Sequence, residues 1–271
     1  MPEVPARKRG AMARLVREAD LVWQMVSTDL RTRYVGSLLG FVWSILHPCV
    51  LIAIYILVFS NVLGARMPQG GGAHGYGVYL CAGLIPWLAL QEVVLRSTTI
   101  FLDQANLVKN VAFPAIFLHA YVLAVAAVNC AFFVAAFVIV LLVAGQPLHP
   151  ALLVWPLFLV LQLFFAAGVG LFTSVLHVFF RDTAPAVSLA LQGWFWLTPI
   201  VYPLEVVPER FAALLRFNPI AWFTRVHQDI VLGGRWPSAA EIALAIAASA
   251  AALGAGFALL HVTRQRILDE V

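Results

Sequence analysis

Charged side chains are scarce in this chain. Asp, Glu, Lys and Arg make up 11% of its 271 residues, whereas 62% of the residues are hydrophobic and the mean hydropathy is +0.92. Soluble domains carry about 25% charged residues, so a soluble fold of this length would leave too much apolar surface in water. The composition therefore excludes a water-soluble globular protein and indicates that lipid surrounds most of the chain.

Signatures of catalysis and metal binding are also missing. The sequence has no G-x-x-x-x-G-K-[ST] phosphate loop, no H-E-x-x-H and no G-x-S-x-G, which excludes nucleotide binding by a phosphate loop and two common hydrolase designs. The three cysteines, Cys49, Cys81 and Cys130, lie inside apolar runs without metal or disulfide spacing. We therefore expect no catalytic site, no metal and no cofactor in this chain.

Long apolar runs dominate what is present. Six of them approach the ~20 residues that a helix needs to cross a bilayer; they span 37–63, 77–99, 115–144, 151–177, 184–202 and 238–262. Residues 203–237 are too apolar for a free loop and too interrupted by proline to span, which predicts two short helices at about 208–217 and 219–232. The predicted fold is an all-α integral membrane protein with six transmembrane helices and re-entrant outer helices.

The N-terminal segment is amphipathic at helical period. Between residues 11 and 33, apolar side chains such as Leu15, Val22 and Val26 recur at steps of three and four, with charged residues opposite. This predicts an interface helix on the membrane surface, packed on a partner domain, or both. The chain then divides into an N-terminal part (1–36), a membrane domain (37–264) and a tail (265–271).

Orientation follows from the basic residues. Seven of the 17 Lys and Arg residues precede residue 34. If the N-terminus is inside, the inner segments hold 12 basic residues and the outer segments hold five, so both termini are predicted to face the cytoplasm. Residues 101–114, FLDQANLVKNVAFP, then form a cytoplasmic loop, and residues 203–237 lie outside.

Three polar or small-residue patterns lie within the predicted spans. Glu92 and Arg96 have the spacing and order of an ion pair along one helix face. Asn129 is interpreted as an interhelical hydrogen bonder. In the sixth span, small residues recur in a row that would let another helix approach closely; they are Ala239, Ala243, Ala247, Ala250, Gly254 and Ala258.

Aromatic residues form a possible path for sugar. At 100° per residue, Tyr34, Phe41, Tyr55 and Phe59 fall on one face of the first predicted span. Aromatic faces stack on sugar rings, although Trp and Tyr also gather at membrane interfaces for ordinary reasons. The residues alone leave both interpretations open. The path would further include Trp87, Trp194 and Trp196.

Four stretches carry a resemblance to a known family. They are RTRYVGSLLGFVWSILHP (31–48), NLVKNVAFP (106–114), FFRD (179–182), and the outer pair Tyr202–Pro203 and Asn218–Pro219. Together they resemble the membrane (permease) subunit of ABC transporters that export polysaccharides such as O-antigen, capsule or teichoic acid. The resemblance covers nearly the whole chain, and the first stretch is its most specific part.

The resemblance implies a homodimer in the bacterial inner membrane, driven by two copies of a separate ATPase subunit that holds ATP and Mg. The substrate would be a lipid-linked polysaccharide, with no nucleic acid as partner. Arg31 and Arg33 would attract the diphosphate of the lipid carrier. The ATPase would contact a coupling helix made of Asn106, Leu107, Val108, Lys109 and Asn110. An outer gate would include Tyr202, Pro203, Asn218, Pro219, Trp222 and Phe223.

Other functions remain open at this point. An ABC exporter of a small lipid or drug would share the architecture but not the cargo. A membrane-embedded glycosyl- or lipid-modifying enzyme would need a catalytic group, and none stands out. A passive channel or scaffold would work without nucleotide.

Overall fold

The described part of the computed structural model consists mainly of helices. It comprises residues 6–32, 42–58, 75–106, 115–143, 147–204 and 217–270, with Gly145, Val207, Pro208, Arg210 and Leu215 as isolated additions. These residues form helices and turns without a strand. The helices are α1 (Ala6–Thr32), α2 (Trp43–Ile56), α3 (Gly75–Asp103), α4 (Ala115–Val143), α5 (Trp155–Phe179), α6 (Thr183–Trp196), α7 (Pro219–Gly233) and α8 (Ala239–Glu270), with a 3-10 turn at Pro150–Leu153.

Four helical stretches in the described residues are long and apolar enough to cross a membrane. They are Gly75–Asp103, Ile116–Val143, Pro150–Phe179 and Ala239–Ile267. α2 and α6 have 14 residues each, about 21 Å of helix; residues 37–41 and 59–63 of the predicted first span lie outside the described residues. The predicted fifth span, 184–202, instead ends at Trp196 and continues as a turn. α8 runs through the expected tail to Glu270.

α3 and α5 form the centre of the bundle. Most of α3 is buried, and its side chains share the main core with α5, α7 and the end of α4. α5 and α8 approach so closely that a Cβ on Gly168 would collide with the backbone of Ala252. The row of small residues predicted for this purpose, from Ala239 to Ala258, is exposed in the single chain. The close contact uses the neighbouring face of α8, which carries Ala252 and Gly256.

A second, smaller core defines one end of the bundle, here called the inner end. The apolar face of α1, centred on Val26, packs against the last turns of α3, α5 and α8 and the first turns of α4. The segment after α3, the turn after α5 and the end of α8 therefore lie at the same end as α1. The members of this smaller core, the inner core, include Val26, Ile100, Phe101, Leu118, Val178 and Ile267. α1 thus rests on protein along this face.

The opposite, outer end is built around α7. This helix starts at Pro219, with Asn218 as its N-cap, and ends before Gly234, which adopts the left-handed conformation (φ 55°). Proline at the first helical position and glycine after the last are the expected boundary residues. The predicted second outer helix is therefore present nearly as expected. The first, 208–217, falls largely outside the described residues.

Candidate functional site

A group of polar and charged side chains at the inner end is the first candidate site. We call Asp29, Glu92, Arg96, Tyr121 and Asn129 the inner charge cluster. Arg96 donates to Asp29 Oδ2 at 2.8 Å, to the Tyr121 hydroxyl at 2.8 Å and to Glu92 Oε1 at 3.4 Å. Asn129 Nδ2 donates to Glu92 Oε1 at 2.6 Å. The cluster therefore connects α1, α3 and α4.

The sequence predicted three of the five members of this cluster. The predicted Glu92–Arg96 pair is present, and Asn129 makes its predicted interhelical bond. Asp29 and Tyr121 were missed, although Asp29 is the nearer carboxylate and the Tyr121 ring lies 5.5 Å from the guanidinium carbon. A signal was present, since Asp29 lies three residues after Val26 and hence toward the apolar side of α1.

The charged side chains of the cluster are partly exposed on the single chain. The side chains of Arg96, Asp29 and Glu92 are 28%, 21% and 25% exposed. Ion pairs that water can reach contribute little, roughly 1 kcal/mol or less. The cluster is therefore better suited to orienting helices than to holding the fold together.

The predicted ATPase-coupling residues follow directly after α3. Asn106 is exposed and helical, whereas Leu107, Val108, Lys109 and Asn110 lie outside the described residues. Just before them, Phe101 is buried in the inner core and Thr99 donates to Asp103 at 2.7 Å. Of the two arginines predicted to attract a lipid diphosphate, Arg31 is exposed in the last turn of α1, and Arg33 is not described.

Asn218 is the second candidate site, at the outer end. Its Oδ1 accepts from the Trp194 indole at 2.9 Å and from the Ile220 amide at 3.0 Å. Its Nδ2 donates to the Leu197 carbonyl at 3.1 Å and to Thr198 Oγ1 at 3.2 Å. One amide therefore caps α7 and fixes it to the end of α6. We call this arrangement the Asn218 staple.

The turn after α6 is held by α3 and α7. The Tyr79 hydroxyl lies 3.0 Å from the Pro199 carbonyl and 2.9 Å from the Tyr202 carbonyl, and Tyr76 donates to the Val201 carbonyl. Gln228 of α7 donates to the Pro199 carbonyl at 3.1 Å. The backbone carbonyls of this turn thus accept hydrogen bonds from side chains of α3 and α7.

A buried chain of neutral groups connects α7 to α5 and α3. The Trp155 indole donates to His227 Nδ1 at 2.9 Å, His227 Nε2 lies 2.8 Å from Gln162 Oε1, and Gln162 Nε2 donates to the Pro86 carbonyl at 3.2 Å. Because an indole N–H only donates, Nδ1 must accept, and Nε2 carries the proton. Burial lowers the pKa of His227, so the ring stays neutral. We call this arrangement the His227 chain.

The predicted aromatic path is only partly assembled. Trp87 is 3% exposed and packs edge-on against Trp194, at 6.5 Å between ring centroids, while Trp196 is 65% exposed. Tyr55 is half-buried against the main core. Tyr34, Phe41 and Phe59 lie outside the described residues. In the single chain, Trp87 therefore fills the core and offers no open face to a ligand.

The predicted gate residues are in contact with one another or with the core. The Tyr202 hydroxyl donates to the Trp196 carbonyl at 2.9 Å, and Pro203 is buried. Phe223 is fully buried against Phe165, with Trp222 half-buried beside it. Asn218 and Pro219 form the start of α7, as described above. These residues therefore fix the outer helix in place in this conformation.

The far end of α7 carries exposed charges. Arg235 donates to Asp229 Oδ2 at 2.7 Å and to Glu241 Oε1 at 2.8 Å. Ser238 Oγ caps α8 by accepting from the Glu241 amide at 3.2 Å, and the Glu241 carboxylate accepts from the Ser238 amide at 2.8 Å, which is a capping box. Hydrogen bonds to Glu241 and Asp229 raise the pKa of Arg235. Arg235 therefore connects the end of α7 to the start of α8.

Comparison with known proteins identifies the family. The model of the ABC-2 type transporter family matches residues 20–232, which is most of the chain. The chain belongs to this family. It is therefore a multi-pass membrane subunit of an ABC transporter and not an enzyme, and membership implies an ABC ATPase as partner. The family match starts in α1 and ends in α7, so it includes the inner charge cluster, the Asn218 staple and the His227 chain.

Three relatives of this ABC-2 family chain carry names that refer to polysaccharide export or transport. The chain is 30% identical to the O-antigen export system permease protein RfbA of Klebsiella pneumoniae over 218 residues, which is 79% of this chain and 81% of the relative. It is 27% identical to RfbA of Myxococcus xanthus over 266 residues, covering 96% of this chain and 100% of the relative. The polysialic acid transport protein KpsM of Escherichia coli is 23% identical over 76% of this chain and 79% of the relative.

Proposed function

We propose that this chain is the membrane subunit of an ATP-driven exporter that moves an O-antigen-like, lipid-linked polysaccharide across the bacterial inner membrane. The observation that carries the proposal is the alignment with RfbA of Myxococcus xanthus, an O-antigen export permease by name, over its full length. The similarity to KpsM supports a polysaccharide more generally. The alignments cover 96% of this chain for RfbA and 76% for KpsM, so the similarity extends over many helices.

The proposed architecture has six spans in each of two copies. α2 would cross together with the residues on either side of it, and α6 would cross together with the turn that Tyr79 and Gln228 hold. α7 and the segment before it would be re-entrant. Both termini would be cytoplasmic, with α1 at the membrane surface. An exposed Trp23 (69%) on α1 supports that position, because tryptophan favours the interface between lipid and water.

The proposed transport cycle uses the two ends differently. Arg31 and Arg33 would receive the carrier's diphosphate, and Asn106, Leu107, Val108, Lys109 and Asn110 would contact the ATPase, where ATP and Mg bind. Movement of that contact would shift the two copies against each other and open a path. The path would be lined by Tyr34, Phe41, Tyr55, Phe59, Trp87, Trp194 and Trp196. For Trp87 to take part, its packing against Trp194 would have to open.

A deletion strain tests the cargo. We expect loss of a surface polysaccharide and accumulation of the same polymer on its lipid carrier inside the cell, because synthesis continues while export stops. Lipid extracts and surface glycans of the parent, deletion and complemented strains would be compared by mass spectrometry. An unchanged glycan profile would contradict the proposal and favour a small lipid or drug as cargo, with the ABC-2 family assignment unaffected.

A further inference from the structure

α1 and α3 are in position to move together. Val26, Leu21 and Met25 on the inward face of α1 contact the inner core, to which Ile100 and Phe101 of α3 also belong. Packing of this kind tolerates sliding, because apolar contacts are not directional. A directional contact would be needed to make α1 follow α3 in a defined way. The Asp29–Arg96 pair, at 2.8 Å, is such a contact.

Arg96 is placed where movement of the coupling segment would reach it. It lies seven residues before Asp103, the last residue of α3, so about 10 Å of continuous helix separates the two. The segment predicted to contact the ATPase begins three residues later, at Asn106. A helix transmits rotation and translation over such a length with little loss, so Arg96 would shift with the end of α3.

The Arg96 guanidinium has a second carboxylate within reach. Glu92 lies on the same helix, one turn earlier, and its Oε1 is 3.4 Å from Arg96 Nη1. Tyr121 adds a hydroxyl at 2.8 Å and an aromatic face. If α1 moved away with Asp29, Arg96 would therefore keep a charged partner, and Asn129 would still hold Glu92. Opening the Asp29–Arg96 contact would therefore not leave Arg96 unpaired.

We propose that Asp29 and Arg96 form a reversible latch that makes α1 follow the end of α3 when the coupling segment moves. The proposal rests on the proposed function for its role in transport, since α1 carries the arginine predicted to receive the lipid carrier. Asp29 and Arg96 are positioning residues here. Glu92 remains the charged partner of Arg96 when the latch is open.

Exchange of charges tests the latch. In Asp29→Asn, we expect surface polymer per membrane-inserted chain to fall about fivefold or more, the scale of a typical coupling effect. The double variant Asp29→Lys/Arg96→Glu places one cation from α1 against two carboxylates on α3, with the same net charge. It should recover at least half of the parent's transport, and Asp29→Glu should retain most of it. Asp20→Asn removes an exposed carboxylate from the same helix and serves as the matched control.

A distance measurement tests the latch without reference to any cargo. Spin labels would be attached at Gln24→Cys on α1 and His261→Cys on α8, both exposed positions, after replacing Cys49 by Ser. The distance distribution between the two labels would be measured in nanodiscs for the parent, Asp29→Asn and the charge exchange. We expect Asp29→Asn to broaden the distance distribution or add a second population, and the charge exchange to restore one population. An unchanged distribution in Asp29→Asn, or no rescue by the exchange, would overturn the latch. If the parent chain restored no polymer, the cargo would be wrong, and this measurement would still test the latch.

Discussion

The two ends of this molecule are held together by different chemistry. At the inner end, Asp29, Glu92 and Arg96 are charged and between 21% and 28% exposed. At the outer end, His227 and Gln162 are neutral and at most 2% exposed. Both groups connect three helices, so the difference does not lie in how many elements they join.

The contrast has an energetic meaning. A partly hydrated ion pair opens at small cost, because water and nearby groups replace the lost partner. A buried neutral donor without an acceptor has no such replacement and costs about 1–3 kcal/mol. The partly exposed ion pairs of the inner end should therefore be easier to open than the buried hydrogen bonds of the His227 chain. A gate at the outer end would have to move around this fixed part.

The largest effect is expected from breaking the His227 chain. His227→Leu would leave the Trp155 indole and one side of Gln162 unpaired in the core. The free energy of unfolding should fall by on the order of 3 kcal/mol, since two buried polar groups lose partners. Reaction of a thiol-specific dye with the buried Cys81 and Cys130 during heating would report unfolding.

His227→Gln is the matched control for that measurement, because it keeps a donor and an acceptor on a neutral side chain. We expect it to recover part of the lost stability. A Leu variant that unfolds at the parent's temperature would remove the energetic distinction between the two ends.

A smaller effect is expected at the Asn218 staple. Asn218→Ala removes the cap of α7 and the acceptor of the half-buried Trp194, and should cost about 1–2 kcal/mol, the upper part of the range for a lost cap. Asn218→Asp keeps Oδ1 as acceptor but loses both Nδ2 donations, so its stability should be intermediate. Equal stability of the Ala and Asp variants would show that the cap bond contributes nothing.

Much of the fold could be predicted from the sequence because its signals are local. Apolar length gave the bodies of α3, α4, α5 and α8, and the Asn–Pro pair gave the start of α7. The end of α6 could not be predicted, because the residues after Trp196 remain apolar. They leave the helix where Tyr79 and Gln228 supply hydrogen bonds from distant parts of the chain.

The candidate sites divide in the same way. The Glu92–Arg96 pair follows from spacing along one helix and was predicted. The pairing of Arg96 with Asp29, 67 residues away, depends on how α1 lies across the bundle, which no spacing rule gives. His227 was overlooked because a single histidine in an apolar segment has no distinctive neighbours in sequence. The aromatic path was predicted from one helix face, whereas the burial of Trp87 depends on α6.

The smallest effect on stability is expected from the charges at the outer end. Arg235→Gln breaks ion pairs to Asp229 and Glu241, yet Arg235 is 45% exposed. We expect the free energy of unfolding to fall by about 1 kcal/mol or less, and the difference from the parent to shrink as salt is raised. Asp29→Asn should cause a similarly small, salt-sensitive loss of stability in the same thermal assay. If Arg235→Gln instead destabilised the protein as much as His227→Leu, the stability loss would depend on which end of the molecule is changed and not on burial. If Arg235→Gln and Asp29→Asn both caused a small, salt-sensitive loss of stability, burial and charge would decide which contacts open easily, whichever end they lie at.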